Sequence, residues 1–137
     1  MARYCIDATA LVIYINEEEP GKEIQKIVKE IETDKSIGFM STVNLAEFHR
    51  AMTRIFSEDK ADKYVIWLKE SKIIIIPPSL EIATLASIKK QKYASAKEPF
   101  AWGDAFCLAT GIEYDADFII TADPEFNKVK EIPIIFI

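Results

Sequence analysis

Apolar residues along the chain fall into two rhythms. Short unbroken runs at Tyr4–Ile6, Ile37–Met40, Ile73–Ile76, Phe118–Thr121 and Ile134–Ile137 read as strands. Runs that are apolar at every position belong to strands covered on both faces, and Ile73–Ile76, ahead of the Pro77-Pro78 stop, reads as too apolar for an open sheet edge.

Between these runs the period lengthens to three and four residues. Ile24, Ile27, Val28 and Ile31 mark an amphipathic helix over 21–31, with Pro20 at its first turn. Ala8–Ile15 follows the first strand as a helix that Asp7 or Thr9 can cap. Ser41, Thr42 and Asn44 are candidate caps for a helix running through Phe56. Further helices are predicted over Asp59–Glu70, from a Ser79 cap to about Lys92, and over Phe100–Tyr114. Strands separated by one or two helices give a parallel sheet with helices on both sides. The expected fold is a three-layer α/β/α sandwich with a central, mainly parallel sheet, formed by a single domain over residues 1–137.

Four acids interrupt this apolar pattern. Asp7 ends the first strand run, Glu47 lies in Asn44-Leu45-Ala46-Glu47-Phe48, Asp104 sits among Trp102, Ala105 and Phe106, and Asp123 follows Phe118–Ala122. An ionised carboxylate in an apolar setting costs several kcal/mol unless it is compensated. No Lys or Arg recurs beside these four, and a shared divalent cation would compensate them together. In open α/β sheets ligands bind beyond the carboxyl ends of the strands, where Asp7 and Asp123 fall. Each acid singly has a plainer reading: Asp7 as a helix cap, Asp123 as a turn cap before Pro124, Asn44 with Glu47 as a capping box, and Asp104 as the cap of a helix starting at Gly103. Four such caps in this order are not expected by accident.

Composition narrows the chemistry. The 17 basic and 22 acidic side chains give a formal charge of −5, which argues against nucleic-acid binding by bulk attraction but not against a metal-dependent nuclease. Lys89, Lys90 and Lys92, or Arg50 and Arg54, are available to guide phosphates, although a solvated helix face is the plainer role. Cys5 and Cys107 read as small core residues in a reducing compartment, and the lone His49 as structural or surface. The N-terminal residues lack signal-peptide regions and no apolar stretch reaches membrane-spanning length, so a cytoplasmic location is expected. Abundant Ile, Glu and Lys with few Asn and Gln lean toward heat adaptation.

The segments Ile6-Asp7-Ala8-Thr9, Asn44-Leu45-Ala46-Glu47, Gly103-Asp104-Ala105-Phe106-Cys107-Leu108-Ala109-Thr110 and Ile120-Thr121-Ala122-Asp123-Pro124-Glu125-Phe126 together resemble the PIN domain, in particular the VapC-like toxins of type II toxin–antitoxin modules. The resemblance spans the chain. It implies a divalent-metal-dependent endoribonuclease using Mg2+ or Mn2+, with Asp7, Glu47, Asp104 and Asp123 as its acidic cluster. Asp7 and Asp104 would be direct metal ligands; Glu47 and Asp123 would hold waters of the ion or orient the attacking water. Thr9 and Thr121 would orient substrate or ligands. It also implies an RNA substrate, a small cognate antitoxin as partner and a homodimer. Trp102-Gly103 departs from the family's usual residues, which bears on the shape of the substrate mouth.

Other acid-clustering folds fit less well. A phosphotransfer receiver wants paired acids after its first strand and a late lysine, a haloacid-type phosphatase wants Asp-x-Asp, and a nucleotide-binding fold wants a Gly-rich loop that four scattered glycines do not form. The alternative within the same fold is a catalytically inactive module that binds RNA or protein, in which the acids are relics or caps.

Overall fold

A computed structural model describes residues 1–16 and 21–137; the expected Pro20 helix start lies outside the described residues. The order is β1 (Ala2–Ile6), α1 (Ala8–Asn16), α2 (Gly21–Glu32), β2 (Ser36–Ser41), α3 (Thr42–Ile55), α4 (Glu58–Glu70), β3 (Ile74–Ile76), α5 (Leu80–Tyr93), α6 (Trp102–Glu113), β4 (Phe118–Thr121), a 3-10 turn (Pro124–Lys128) and β5 (Ile134–Phe136). The strands form one parallel sheet in the order β3-β2-β1-β4-β5. Helices cover both faces, so the chain has the expected three-layer α/β/α architecture.

The chain direction across the sheet reverses once, and the reversal sorts the helices. From β1 the chain steps outward to β2 and β3, then returns past β1 to β4 and β5. Parallel crossovers are right-handed, so connections stepping in opposite directions fall on opposite faces. Accordingly α1 to α4 share one apolar cluster with Tyr4, Ile6, Met40 and Ile120, while α5 and α6 share the other with Cys5, Phe39 and Ile119. Neighbouring strand residues thus feed opposite cores, as the pleat requires. The two strands flanking the reversal, β1 and β4, pair Ile6 with Ile120, and the Asp7 amide donates to the Ile120 carbonyl at 2.9 Å.

Local signals fix most element ends. Ser41, Ser57 and Ser79 each accept a backbone amide from the first turn of the helix they precede. Ser41 is the cap of α3, which places Asn44 inside the helix and removes the capping-box reading of Asn44 and Glu47. α6 starts at Trp102 on Ala101, with no side-chain cap, so Asp104 is in its first turn and is not the cap. The expectation that Ile73–Ile76 avoids an edge fails: β3 is the outer strand, and Ile74 is 54% exposed. With only three paired residues and two prolines after it, β3 offers little template for another strand. Cys5 and Cys107 are free thiols in the core, and His49 pairs with Asp62 at 2.8 Å on the surface.

Gly38 in β2 lets α2 approach the sheet. A Cβ there would lie 2.3 Å from Ile31 Cδ1 and 3.0 Å from its Cγ1, in a side chain that is only 2% exposed. Gly38→Ala is expected to cost about 1–3 kcal/mol in urea unfolding, as overpacking does. Combined with Ile31→Val, which removes the clashing methyl, the two costs should fall short of their sum.

Candidate functional site

Four acids distant in sequence meet over the carboxyl edge of β1 and β4. Asp7 follows β1 directly, Asp123 stands two residues past β4, Glu47 is in the second turn of α3, and Asp104 is in the first turn of α6. Asp7, Thr9, Glu47, Asp104 and Asp123 line one cleft of about 350 Å3, whose floor and walls include Ala8, Val12, Ile13, Ala51 and Ala122. The cleft sits where the strand order reverses. There the helices of the two faces diverge and leave a crevice, the usual ligand position in such sheets.

Asp7 is buried and held firmly. The hydroxyls of Thr9 and Thr121 both donate to its Oδ2 at 2.7 Å. Those hydroxyls also accept backbone amides, Thr9 from Ala122 and Thr121 from Asp123, each at 2.9 Å. The two threonines therefore tie the end of β1 to the loop after β4. Both were sequence expectations, and both lie in direct contact with Asp7.

Asn44 is the residue that sequence reasoning did not assign to the site. Its buried amide nitrogen faces Glu47 Oε1 at 2.8 Å, the Gly103 carbonyl at 3.1 Å and Asp7 Oδ1 at 3.4 Å. It links α3, α6 and β1 around the cleft, while its Oδ1 is buried without a hydrogen-bond partner. Its three-residue spacing to Glu47 was the available signal, because residues so spaced share one helix face.

Gly103 has a matching role. A Cβ on it would lie 2.1 Å from Glu47 Oε2 and 2.4 Å from Oε1. The Glu47 carboxylate thus rests against the backbone of α6, and the unusual glycine before Asp104 is what admits it. Glu47 itself is exposed, contrary to the apolar setting expected for it, and only its carboxylate end is crowded.

The electrostatics follow from burial without cations. Among the described residues, no lysine or arginine forms an ion pair with any of the four acids. Burial pushes the Asp7 carboxyl up, opposed by the two threonine hydroxyls and reinforced by Asp123. Glu47 is also raised, by desolvation of its carboxylate and by Asp7 and Asp123, against the Asn44 hydrogen bond. Asp104 is raised to about 8, first by burial, then by hydrogen bonding to Asp123 and by the charges of Asp123, Asp7 and Glu47. Its Oδ2 is buried with no hydrogen-bond donor. Asp123 accepts the Glu125 amide at 2.9 Å, so its capping role and its place in the cleft coexist.

Such a donor set suits a small hard cation. Its ligand atoms are carboxylate oxygens, without His or Cys, and Asp104 offers an oxygen that lacks any protein partner. Among the described residues, no three acid, histidine or cysteine side chains are already closed around one point. Mg2+ does not require that, since it keeps several waters and takes one or two carboxylates.

The backbone arrangement is shared with proteins of known structure. By structure the chain is similar to VapBC2 from Rickettsia felis bound to a promoter DNA fragment, with TM-score 0.75 and 16% identity over 97% of each chain. It is similar to Mycobacterium tuberculosis VapC20, a Sarcin-Ricin loop cleaving toxin, with TM-score 0.73 and 11% identity over 96% of this chain and 99% of that one. DNA-bound VapBC from Salmonella typhimurium gives TM-score 0.72 and 14% identity over 98% of each. No curated protein matches by sequence. The family pattern described as the PIN domain matches residues 4–132, nearly the whole length, and the chain belongs to the PIN domain family.

Proposed function

We propose that this chain is a divalent-metal-dependent endoribonuclease, a single PIN nuclease domain acting as the toxin of a toxin–antitoxin pair. The observation that carries the reading is the convergence of Asp7, Glu47, Asp104 and Asp123 on one cleft, with no lysine or arginine paired to them among the described residues. The fold shared with VapC20, described as cleaving the Sarcin-Ricin loop, supports RNA as the substrate. The fold shared with VapBC complexes supports a small antitoxin partner, and the reading takes the protein to act in the cytoplasm as a homodimer.

In this reading Asp7 and Asp104 would hold an Mg2+ or Mn2+ ion. Thr9 and Thr121 fix the Asp7 carboxylate by binding one of its oxygens, so little reorganisation remains when the site is used. Burial and its acidic neighbours push the Asp104 carboxyl up to about 8, and a bound ion would favour its ionised form. A bound ion would supply the positive charge that stabilises charge developing on the scissile phosphate. Glu47, its carboxyl raised and its Oε1 steadied by Asn44, accepts the proton of the attacking water. Asp123 orients that water and adds to the negative field that recruits the ion.

Three outcomes test the reading. Incubated with structured and unstructured RNAs, the protein should cleave with Mg2+ or Mn2+ and stop in chelator, and Asp104→Asn should lower the rate about a hundredfold or more. Cleavage by Asp104→Asn at the parent's rate would instead identify a non-catalytic module or a contaminating nuclease. Gly103→Ala should cut activity about a hundredfold by displacing Glu47, with stability within about 1 kcal/mol of the parent because Ala favours the helix.

The third outcome is a pH dependence of stability. Asp104 has an ordinary value of 3.8 and stands at about 8 in the folded protein, so between those values the folded state keeps a proton that the unfolded chain has lost. Stability from this group is therefore full below the lower value and declines until the pH passes the upper one. In chelator the melting temperature should fall from about pH 5 to about pH 8, more steeply than in Asp104→Asn, and added Mg2+ or Mn2+ should restore it at the upper end.

A further inference from the structure

Below the acid cleft, the seam between β1 and α6 holds the two cysteines of the chain. Cys5 stands on β1 two residues before Asp7, and Cys107 stands on α6 about one turn after Asp104. Both side chains are fully buried in the apolar cluster on the α5 and α6 side of the sheet. Their sulfurs lie 3.9 Å apart, and the Cys5 thiol also faces the Cys107 carbonyl at 3.5 Å. The acid chemistry uses neither thiol, and packing alone asks only for a small apolar residue at each position.

The seam is loaded unevenly along its length. At its far end Arg3 of β1 donates to the carbonyl of Tyr114, just past α6, at 2.7 Å. At its cleft end Asp7 and Asp104 line one cavity, and two carboxylates facing each other there work to part the helix from the strand. The cysteines meet between these two ends, next to the acids. A covalent link at that level would hold α6 on β1 where the charges push them apart.

We propose that Cys5 and Cys107 are an oxidisable pair that closes to a disulfide and clamps α6 to β1 beneath the acid cleft. The oxidant is a peroxide. One cysteine sulfur attacks an oxygen of hydrogen peroxide, the O–O bond breaks, and the leaving hydroxide takes the thiol proton to become water, which leaves a sulfenic acid. The second cysteine sulfur then attacks the first; the S–S bond forms, the S–O bond breaks, and the departing hydroxide leaves as water with the second thiol proton. The two thiols lose two electrons and two protons, and the peroxide is reduced to two waters. Buried thiols are inert, so the reaction occurs while the core is open, during folding or on warming that loosens α6. An S–S bond is about 2 Å long, and side-chain rotation with a slight shift of α6 supplies the approach from the contact already present. The bond closes a loop of about a hundred residues, and cross-links over long loops restrict the unfolded chain most. A composition leaning toward heat adaptation fits this chemistry, since intracellular proteins of hyperthermophiles carry disulfides that mesophile proteins avoid. Plain core packing then describes the reduced form alone.

The test refolds the full chain from urea with hydrogen peroxide or with dithiothreitol, then counts free thiols in denaturant, weighs the intact chain and measures its melting temperature. With peroxide both thiols should disappear, the mass should fall by about 2 Da for the two hydrogens lost, and the chain should stay single on a non-reducing gel. The melting temperature should stand about 10 °C or more above that of the reduced sample and return to it on adding dithiothreitol. Cys5→Ala and Cys107→Ala should show no such rise. Should either variant fail to fold, the thiol count, mass and melting temperature of the parent still decide. Two thiols that survive oxidative refolding overturn the pair, as does a gain of oxygen mass without loss of the two hydrogens, or linkage only between chains. A disulfide that forms without raising the melting temperature overturns the clamp. None of these measurements uses RNA or a metal ion, so their failure leaves the nuclease reading standing.

Discussion

Crowding of carboxylates at the sheet's reversal point is the interaction around which the rest of this structure is arranged. Four acids line one cleft, two of them nearly removed from water, and among the described residues no lysine or arginine pairs with them. Left alone, such a cluster relieves itself by taking up protons, and the rise of Asp104 to about 8 is that relief. The folded chain therefore carries a standing electrostatic cost at this edge, offset by the two apolar clusters on either side of the sheet. Proteins keep such local costs at functional sites.

The surrounding residues hold the cluster open instead of neutralising it. Thr9 and Thr121 give hydrogen bonds to Asp7, and Thr9 also receives the Ala122 amide from the loop after β4, so β1 and β4 are tied at the point where repulsion would part them. Asn44 spans α3, α6 and β1 with one amide group. Gly103 removes the atom that would push Glu47 away. None of the three elements reached by Asn44 is a sequence neighbour of the others, so the site also serves as a joint between the two helical layers. Under the proposed reading, an ion completes that joint, and ion binding and stability are coupled.

On the outer side of α6 the chain presents an exposed indole with a fixed cation, in contrast to the buried acid on its inner side. PIN relatives of known structure share the backbone arrangement at 11–17% identity, which leaves the residues on this flank free to differ.

Much of this was legible in sequence because it depends on near neighbours. The period of the apolar residues gave strands and helices to within a few positions, Ser41 and Ser79 marked two helix starts, and the order of the acids pointed to the family. Non-local packing decided the rest. The Ile-rich β3 reads as interior, but an edge position depends on which strand pairs with which, and that is set by the handedness of distant crossovers. Asn44 reads as a cap by its spacing, yet its partners come from α6 and β1. Asp104 is an ordinary acid by type; its proton affinity arises from Asp7, Glu47 and Asp123, which reach it only through the fold. Residue type and spacing govern what a segment forms by itself, whereas burial and charge at a site are sums over neighbours that only the folded chain assembles.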